Sequence, residues 1–259
     1  MRIQSVLKRV FIVTMGVSCM NQGIVLAADR EPVKNIVLVH GAWADGSSWA
    51  KIIPLLEKQG LHVVAVQNPL SSLADDVAAA KRAINAQDGP VVLVGHSYGG
   101  AVITEAGNNP KVARLVYVAA FAPDTGESLG TTAKNFAPSP VAPEVKPIED
   151  NYVVLTHKGV TEDFAQDLSQ IEKQVLAATQ APTSGSVFGA SISEAAWRKK
   201  PSWYVVAEND RMINPDYERF AAKRMGAKTL ALPTSHVPML SKPQEVAAFI
   251  GQAAAANAS

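Results

Sequence analysis

Six short runs of β-branched and other apolar residues, separated by segments with helical periodicity, constrain how this chain of 259 residues can fold. The runs are continuously apolar rather than alternating, which is typical of strands buried on both faces of a parallel sheet. They lie at 35–40, 62–67, 90–95, 113–120, 202–208 and 228–233. Helical patterns lie between or after them, at 49–59, 73–85, 98–108, 215–225 and 243–255. The alternation predicts an α/β fold with a mostly parallel, doubly wound sheet.

One long segment, 122–200, interrupts this alternation. It has no strong strand pattern, and its helical patterns lie at 161–179 and 191–199. Five prolines punctuate its first part, at positions 123, 138, 140, 143 and 147. Long connections in compact domains often cover binding sites, so we predict a helical cap insertion that acts as a lid rather than a surface excursion without a role.

Residues 1–28 have the features of a cleaved export signal. A basic start is followed by a short apolar run and by small residues before Ala28. Polar residues interrupt the apolar run before it reaches spanning length, which argues against a membrane anchor. Cys19 leaves a lipoprotein signal as a less favoured alternative. We therefore expect one mature domain, 29–259, that is periplasmic or secreted and has no membrane span.

The composition excludes several other classes of protein. An apolar share of 47% with 18% charged residues excludes a disordered chain. Lys and Arg number 24 against 23 Asp and Glu, so there is no basic excess for a nucleic acid partner. The single cysteine excludes an internal disulfide framework and a cysteine-based zinc site. We find no metal or dinucleotide motif and expect no cofactor.

The strongest chemical signal is the segment GHSYG at 95–99, directly after the third apolar run and before a helical pattern. A serine in this context lies on a sharp strand-to-helix turn, where the flanking glycines avoid collisions. The following helix supplies backbone N–H groups toward a developing anion. We predict Ser97 as a catalytic nucleophile rather than part of a simple glycine-rich turn.

A serine hydroxyl needs a base, and that base needs an orienting acid. His236 follows the last apolar run and is the predicted base. The other four histidines are predicted to have structural or solvent-exposed positions: His40, His62, His96 and His157. Asp210 lies in the turn after the preceding run and is the preferred acid, with Glu208 as the competitor.

An acyl-transfer site also needs donors for an oxyanion. The first run ends in His40-Gly-Ala-Trp43. We predict that the N–H of Ala42 meets the N–H of Tyr98, the residue after the nucleophile.

Together these motifs resemble the α/β-hydrolase branch that contains plant methylesterases, hydroxynitrile lyases and bacterial pyrethroid-type esterases. The matching segments are VLVHGAW at 37–43, the stretch 49–56, VLVGHSYGG at 92–100 and SHVPMLSKP at 235–243. The resemblance implies an α/β-hydrolase fold. It also places the nucleophile, acid and base on Ser97, Asp210 and His236, and the oxyanion donors on Ala42 and Tyr98.

Two departures from the branch favour an esterase over a lyase. The hydroxynitrile lyases carry threonine where this chain has Gly41, and lysine where it has Val237. Without that lysine, no ammonium lies beside the base to stabilise departing cyanide. A third departure, QNPLSS at 67–72 in place of an Asp-x-x-Gly stretch, leaves one pocket wall undefined by the family.

The sequence thus predicts a cofactor-free serine esterase that cleaves a small or medium carboxylic ester, or a lactone. Two alternatives remain: a perhydrolase or haloperoxidase-like enzyme on the same triad, and a non-catalytic small-molecule binder. We predict that Trp43, Phe121 and Val237 contact the substrate. Further aromatic residues of the insertion line the pocket or pack the insertion onto the body: Phe136, Tyr152, Phe164, Phe188 and Trp197.

Overall fold

A computed structural model describes residues 33–256 of the chain, so the predicted export signal at 1–28 lies outside the described residues. This part of the chain forms nine strands: β1 (Asn35–Val39), β2 (His62–Val66), β3 (Val91–Ser97), β4 (Val112–Ala120), β5 (Val145–Pro147), β6 (Tyr152–Leu155), β7 (Thr183–Ser184), β8 (Ser202–Ala207) and β9 (Lys228–Leu232). The eight α-helices in the same range are α1 (Ile53–Glu57), α2 (Leu73–Asn85), α3 (Gly99–Ala106), α4 (Leu129–Thr132), α5 (Gln170–Thr179), α6 (Pro215–Arg224), α7 (Pro238–Ser241) and α8 (Pro243–Ala255).

Six of the strands form one parallel sheet in the order β2-β1-β3-β4-β8-β9. The chain runs outward from β1 to β2, returns to β3 and then continues in the opposite direction. The strand order therefore reverses between β1 and β3, where Val39 pairs with Gly95. In open α/β sheets such a reversal leaves a crevice at the carboxyl ends of the strands, which is where ligands bind. The segment after β1 and the end of β3 meet there.

The sheet is buried on both faces because successive residues of each strand point to opposite sides. In β1, Val37 and Val39 belong to one apolar cluster, whereas Ile36 and Leu38 belong to the other. Helices α2, α3 and α6 contribute to the first cluster, and α1, α7 and α8 contribute to the second. This double burial explains why the strands are continuously apolar in sequence.

The predicted core elements agree closely with the structure. All six predicted strands are present, and helix α2 spans the predicted residues. The predicted start of α6 is also confirmed, since the Asn214 side chain accepts a hydrogen bond from the N–H of Asp216 at 2.8 Å and Pro215 is the first helical residue.

The insertion differs in detail from the sequence prediction. It contains a small antiparallel sheet, β5-β6-β7, which was not expected. The helical pattern at 161–179 divides into a π-helical turn, Gly159–Phe164, and α5. The predicted helix at 191–199 is wrong, because only Ala196–Arg198 forms a 3-10 turn. Ile192 instead exchanges backbone hydrogen bonds with the turn at 126–127, at 2.8 and 2.9 Å, and this tertiary pairing replaces a helical ladder.

The insertion is connected to the loop after β1 through Trp43. The indole N–H of Trp43 donates to the carbonyl of Val153 at 3.1 Å, and its backbone N–H donates to Thr183 Oγ1 at 3.0 Å. Within residues 33–256, no helix combines the length and apolar character that crossing a membrane requires.

Candidate active site

Ser97 is the last residue of β3 and has a φ of 54°, a left-handed conformation that is uncommon for a residue with a side chain. The β3–β4 register shifts between His96 and Ser97, at the point where the backbone turns into α3. A strained residue on a strand-to-helix turn is the arrangement that displays a nucleophile above a sheet. The serine predicted from the sequence therefore has the predicted local geometry.

Glycines make this turn sterically possible. A Cβ on Gly99 would lie 2.6 Å from the carbonyl oxygen of Val39, and one on Gly100 would lie 2.0 Å from that of Phe121. Both positions exclude a side chain because neighbouring backbone occupies the space. At Gly100, the absence of a side chain allows α3 to pack closely against the sheet.

His236 and Asp210 form a buried hydrogen-bonded pair. His236 Nδ1 lies 2.6 Å from Asp210 Oδ2, and both side chains are fully inaccessible to solvent. The backbone N–H groups of Met212 and Ile213 donate to the other oxygen, Oδ1, at 2.6 and 2.9 Å. Three donors thus orient the carboxylate, which in turn orients the imidazole. The competing acid, Glu208, is exposed and is not placed in this pair.

The second ring nitrogen of His236, Nε2, is buried and has no hydrogen-bond partner among residues 33–256. Because Nδ1 serves the carboxylate, Nε2 is the nitrogen available for proton exchange. The structure has no hydrogen bond between Nε2 and Ser97 Oγ in the described part of the chain. Such contacts tighten in many hydrolases only when substrate binds.

His96 contacts the loop that carries His236. Its Nε2 lies 2.8 Å from the backbone carbonyl oxygen of His236, and the two rings are 4.7 Å apart. Burial lowers the pKa of His96 well below its usual range, and the neighbouring His236 lowers it further. A neutral His96 with a proton on Nε2 therefore donates to the loop that carries His236, as a structural residue rather than a second base.

The other histidines also lie away from the reacting groups. His62 is exposed at the start of the outer strand β2, and His157 is exposed in the insertion. The backbone N–H of Asn68 donates to Nε2 of His40 at 2.9 Å, and Nδ1 lies 2.8 Å from the carbonyl of Gly41. Burial lowers the pKa of His40. These two contacts fix a neutral tautomer with its proton on Nδ1.

The loop after β1 lies directly against the serine. A Cβ on Gly41 would lie 2.6 Å from Ser97 Cβ, and Trp43 has a φ of 56°. The backbone N–H groups of Ala42 and Tyr98 have no acceptor among the described residues. Two unpaired N–H groups on either side of a serine are suited to binding an oxyanion.

A buried carboxyl on α2 anchors the strand-to-helix turn at Ser97, and it was not predicted from the sequence. The Tyr98 hydroxyl donates to Asp76 Oδ2 at 2.7 Å, and the N–H of Leu70 donates to Oδ1 at 2.8 Å. Burial raises the pKa of Asp76, although both hydrogen bonds oppose the rise. In the sequence, Asp76 is recognisable only as an acidic residue on the core-facing side of α2. That position alone does not identify Tyr98 as its partner.

Each of the three residues predicted to contact the substrate adjoins a predicted site residue in sequence or is hydrogen-bonded to one. Phe121 is half-buried, and its N–H donates to the carbonyl of Ser97 at 3.1 Å. Trp43 is stacked on Phe188 at a ring distance of 5.6 Å. Val237 is fully buried in the second apolar cluster. A cavity of about 80 Å³ lies between the cap and α6 and is lined in part by Phe121, Phe136, Ile213 and Tyr217.

No group of three or more His, Cys, Asp or Glu side chains within 33–256 is arranged to hold a metal ion. The arrangement that the described residues do provide is a serine, a buried histidine–carboxylate pair and two unpaired N–H groups. That set is suited to nucleophilic acyl transfer.

The chain is similar to several known proteins. The family model described as the alpha/beta hydrolase family matches residues 36–249. Methylesterase 2 of Arabidopsis thaliana is 28% identical to this chain, over 84% of the chain and 94% of the relative. The carbendazim hydrolyzing esterase of Nocardioides sp. (strain SG-4G) is 26% identical, over 82% of the chain and 96% of the relative.

A solved structure has the same fold. The pyrethroid hydrolase from Sphingobium faniae JZ-2 superposes with a TM-score of 0.74 and 22% identity, over 86% of this chain and 97% of the other. At this identity the superposition shows a shared fold, including the parallel sheet and its flanking helices.

Proposed function

We propose a reaction for this chain from the premise that it belongs to the alpha/beta hydrolase family. This membership confirms the resemblance and the fold class predicted from the sequence. Relatives named as esterases support a carboxylic ester hydrolase. The proposed function is a cofactor-free serine esterase that cleaves a small or medium carboxylic ester, or a lactone, through an acyl-enzyme.

The buried pair of His236 and Asp210, beside the strand-to-helix turn that carries Ser97, is the observation that carries this proposal. Ser97 Oγ attacks the ester carbonyl carbon while His236 Nε2 takes the hydroxyl proton. The resulting imidazolium is stabilised by Asp210, which accepts a hydrogen bond from Nδ1–H and does not become protonated.

The tetrahedral intermediate carries its negative charge on the former carbonyl oxygen. The N–H groups of Ala42 and Tyr98 donate to that oxyanion, and the N-terminus of α3 adds a favourable field. The intermediate collapses, the C–O bond to the alcohol breaks, and the imidazolium protonates the leaving alkoxide. Water then attacks the acyl-enzyme with His236 again as base, and the acid and free serine are released.

Two features of the site support an esterase over a cyanohydrin lyase. Gly41 leaves no side chain beside Ser97, and the residue after the base, Val237, is buried and apolar. Neither position offers a hydroxyl or an ammonium group to a cyanohydrin. Trp43, Phe121 and Val237 remain the proposed contacts to the substrate.

The first experiment measures hydrolysis of p-nitrophenyl esters from acetate to octanoate by the mature protein and by Ser97→Ala. Wild-type turnover that is lost in the variant supports a serine esterase, and the chain length with the highest kcat/KM gives the size of the pocket. A γ-lactone included in the series tests the cyclic ester. The same assay with hydrogen peroxide and product analysis identifies a perhydrolase. Ligand binding without turnover identifies a binder.

We also propose that the chain is exported and that residues 1–28 are removed. The support is the basic start and apolar run of the sequence. The intact mass of the protein isolated from the periplasm or culture medium tests this proposal. A mass that retains residues 1–28, or one increased by lipid on Cys19, contradicts it.

A further inference from the structure

A second carboxyl group, that of Glu218, lies against the Asp210 side of the proposed triad. Glu218 is in the first turn of α6 and is fully buried. Its Oε2 accepts a hydrogen bond from the N–H of Ala207 at 2.9 Å, and its side chain lies within hydrogen-bonding reach of the Asp210 carboxylate. Its other oxygen, Oε1, is buried and has no partner among residues 33–256 unless it donates a proton.

Among residues 33–256, no lysine or arginine forms an ion pair with either carboxyl of this pair. The groups that face Glu218 are Asp210 on the turn after β8, Tyr204 on β8, and Arg219 on its own helix. The Tyr204 hydroxyl donates to the carbonyl of Ala120. Arg219 is half-exposed and pairs with Asp216. Two buried carboxylates without a counter-ion strongly repel each other, so one of the two holds a proton.

The hydrogen bonds indicate which of the two carboxyl groups holds the proton. Asp210 accepts three hydrogen bonds, from two backbone N–H groups and from His236 Nδ1, so both of its oxygens already act as acceptors. Glu218 accepts one bond and lies in a fully buried position. Burial raises the pKa of Glu218 well above its usual range, and the charge of Asp210 raises it further. The proton therefore belongs on Glu218.

We infer that Glu218 is a positioning residue, held as a neutral carboxylic acid whose hydroxyl donates a hydrogen bond to the Asp210 carboxylate. The inference rests on the proposed function only for its effect on turnover. This bond gives Asp210 a fourth donor and satisfies the otherwise unpaired Oε1. It keeps a single negative charge behind His236 and fixes the plane of the carboxylate that orients the imidazole.

The protonation of Glu218 is tested without any substrate. Infrared difference spectra between wild type and Glu218→Gln at pH 7, in H₂O and D₂O, isolate the C=O stretching band of this one carboxylic acid. We expect a protonated-acid band in wild type that is absent from the variant. A carboxylate band in its place would overturn the inference. Asp216→Asn, an exposed change on the same helix, is the matched control.

The positioning role is tested by two replacements. In Glu218→Gln the amide reproduces the neutral acid, because its carbonyl accepts from Ala207 and its N–H₂ donates to Asp210. We expect kcat/KM within about threefold of wild type and an acid limb of the pH profile at the same midpoint. Glu218→Leu removes both bonds, and we expect kcat to fall about 10- to 100-fold with little change in KM.

Other outcomes contradict the inference. If Glu218→Gln moves the acid limb by one pH unit or more, Glu218 is charged in wild type. If Glu218→Leu folds and retains the kcat of wild type, Glu218 does not position the triad. Should Glu218→Leu fail to fold, the infrared band and the pH profile of Glu218→Gln still decide whether Glu218 is a neutral acid.

A protein that hydrolyses no ester would refute the proposed function separately from this inference. In that case the downfield proton NMR signal of His236 Nδ1–H replaces kinetics. It is expected to be the same in wild type and Glu218→Gln, and shifted or broadened in Glu218→Leu. An identical signal in all three proteins would overturn the positioning role.

Discussion

His236 Nδ1 lies 2.6 Å from Asp210 Oδ2, and neither side chain of this pair is accessible to solvent. The carboxylate itself is fixed by the backbone N–H groups of Met212 and Ile213. The imidazole therefore has its proton on Nδ1 and its lone pair on Nε2. This tautomer is the one that a general base beside Ser97 requires.

We expect Asp210→Asn to lower kcat about 10³- to 10⁴-fold while KM changes little. The amide can turn its N–H₂ toward His236, which then places its own proton on Nε2 and cannot accept the serine proton. The folded structure is retained, because the side chain keeps its size. Steady-state kinetics on the best p-nitrophenyl ester measures the loss, and circular dichroism checks the fold.

Glu208→Gln is the control for this prediction, since Glu208 is the exposed acid two residues away. It is expected to retain the kcat of wild type. If Glu208→Gln loses activity and Asp210→Asn retains it, the assignment of the acid is wrong.

Gly41→Ala is expected to reduce kcat/KM about 100-fold. The added Cβ would lie 2.6 Å from Ser97 Cβ and 3.1 Å from the carbonyl oxygen of His96, so the serine and the loop after β1 must separate. A displacement of about 1 Å costs about 100-fold in a reaction that depends on alignment. Ester kinetics at fixed pH measures the effect.

Gly130→Ala is the matched control, because a Cβ at that position meets its nearest neighbour only at 3.6 Å. We also expect Gly41→Thr to gain no cyanohydrin cleavage, since Val237 supplies no cation beside the base. Full esterase activity in Gly41→Ala would show that the loop after β1 does not confine Ser97.

The core strands and most of the core helices could be predicted because local and tertiary preferences agree there, whereas the helical pattern at 49–59 contains only the shorter helix α1. The apolar runs at β1 and β3 are buried on both faces, so their composition alone identifies them. Asn214 before Pro215 fixes the start of α6 through a local hydrogen bond. The positions of Ser97, Asp210 and His236 at strand ends followed from the same logic, because parallel strands bring their carboxyl ends to one edge.

The insertion and the supporting carboxyls could not be predicted because long-range contacts determine them. Ile192 belongs to a helical pattern but pairs its backbone with the turn at 126–127. Asp76 and Glu218 look in sequence like ordinary surface acids of amphipathic helices. Their roles depend on Tyr98 and Asp210, which lie 22 and 8 positions away along the chain, and one sequence does not reveal such pairs.

Tyr98→Phe is expected to lower the free energy of unfolding by about 1–3 kcal/mol, because Asp76 Oδ2 loses its donor in a buried position. The loss depends on pH. The folded pKa of Asp76 is already raised, and removal of a donor to the carboxylate raises it further, so the native state binds the proton more strongly than the unfolded chain. Stability of the variant therefore falls as pH rises, and the loss is larger at pH 8 than at pH 5.

Urea unfolding at the two pH values measures this difference. Tyr152→Phe, which removes the hydroxyl of a half-buried tyrosine in the insertion, is the control and is expected to change stability by less than about 0.5 kcal/mol. A loss of stability in Tyr98→Phe that is equal at pH 5 and pH 8 would mean that the change does not raise the pKa of Asp76.

The ion pair between Lys51 and Glu172 connects the segment before α1 with the first turn of α5 in the insertion. Hydrogen bonds from Lys51 and from Ser169 lower the pKa of Glu172 from 4.5 to about 2. A lowered folded pKa stabilises the protein above pH 4.5, and this contribution is lost as the pH falls toward 2. Both side chains are more than a third exposed, so solvent screening limits the pair to about 0.5 kcal/mol.

Lys51→Met is therefore expected to lower the free energy of unfolding by about 0.5 kcal/mol at pH 7 and by progressively less as the pH falls from 4.5 toward 2. Salt at 1 M should reduce the loss at pH 7, because it screens exposed charges. Urea unfolding of wild type, Lys51→Met and the exposed control Lys58→Met measures both effects. If the loss in Lys51→Met is unchanged by acid and by salt, the lysine stabilises the protein through its alkyl chain or through its bond to the carbonyl of Leu240, and the charge of Glu172 contributes nothing.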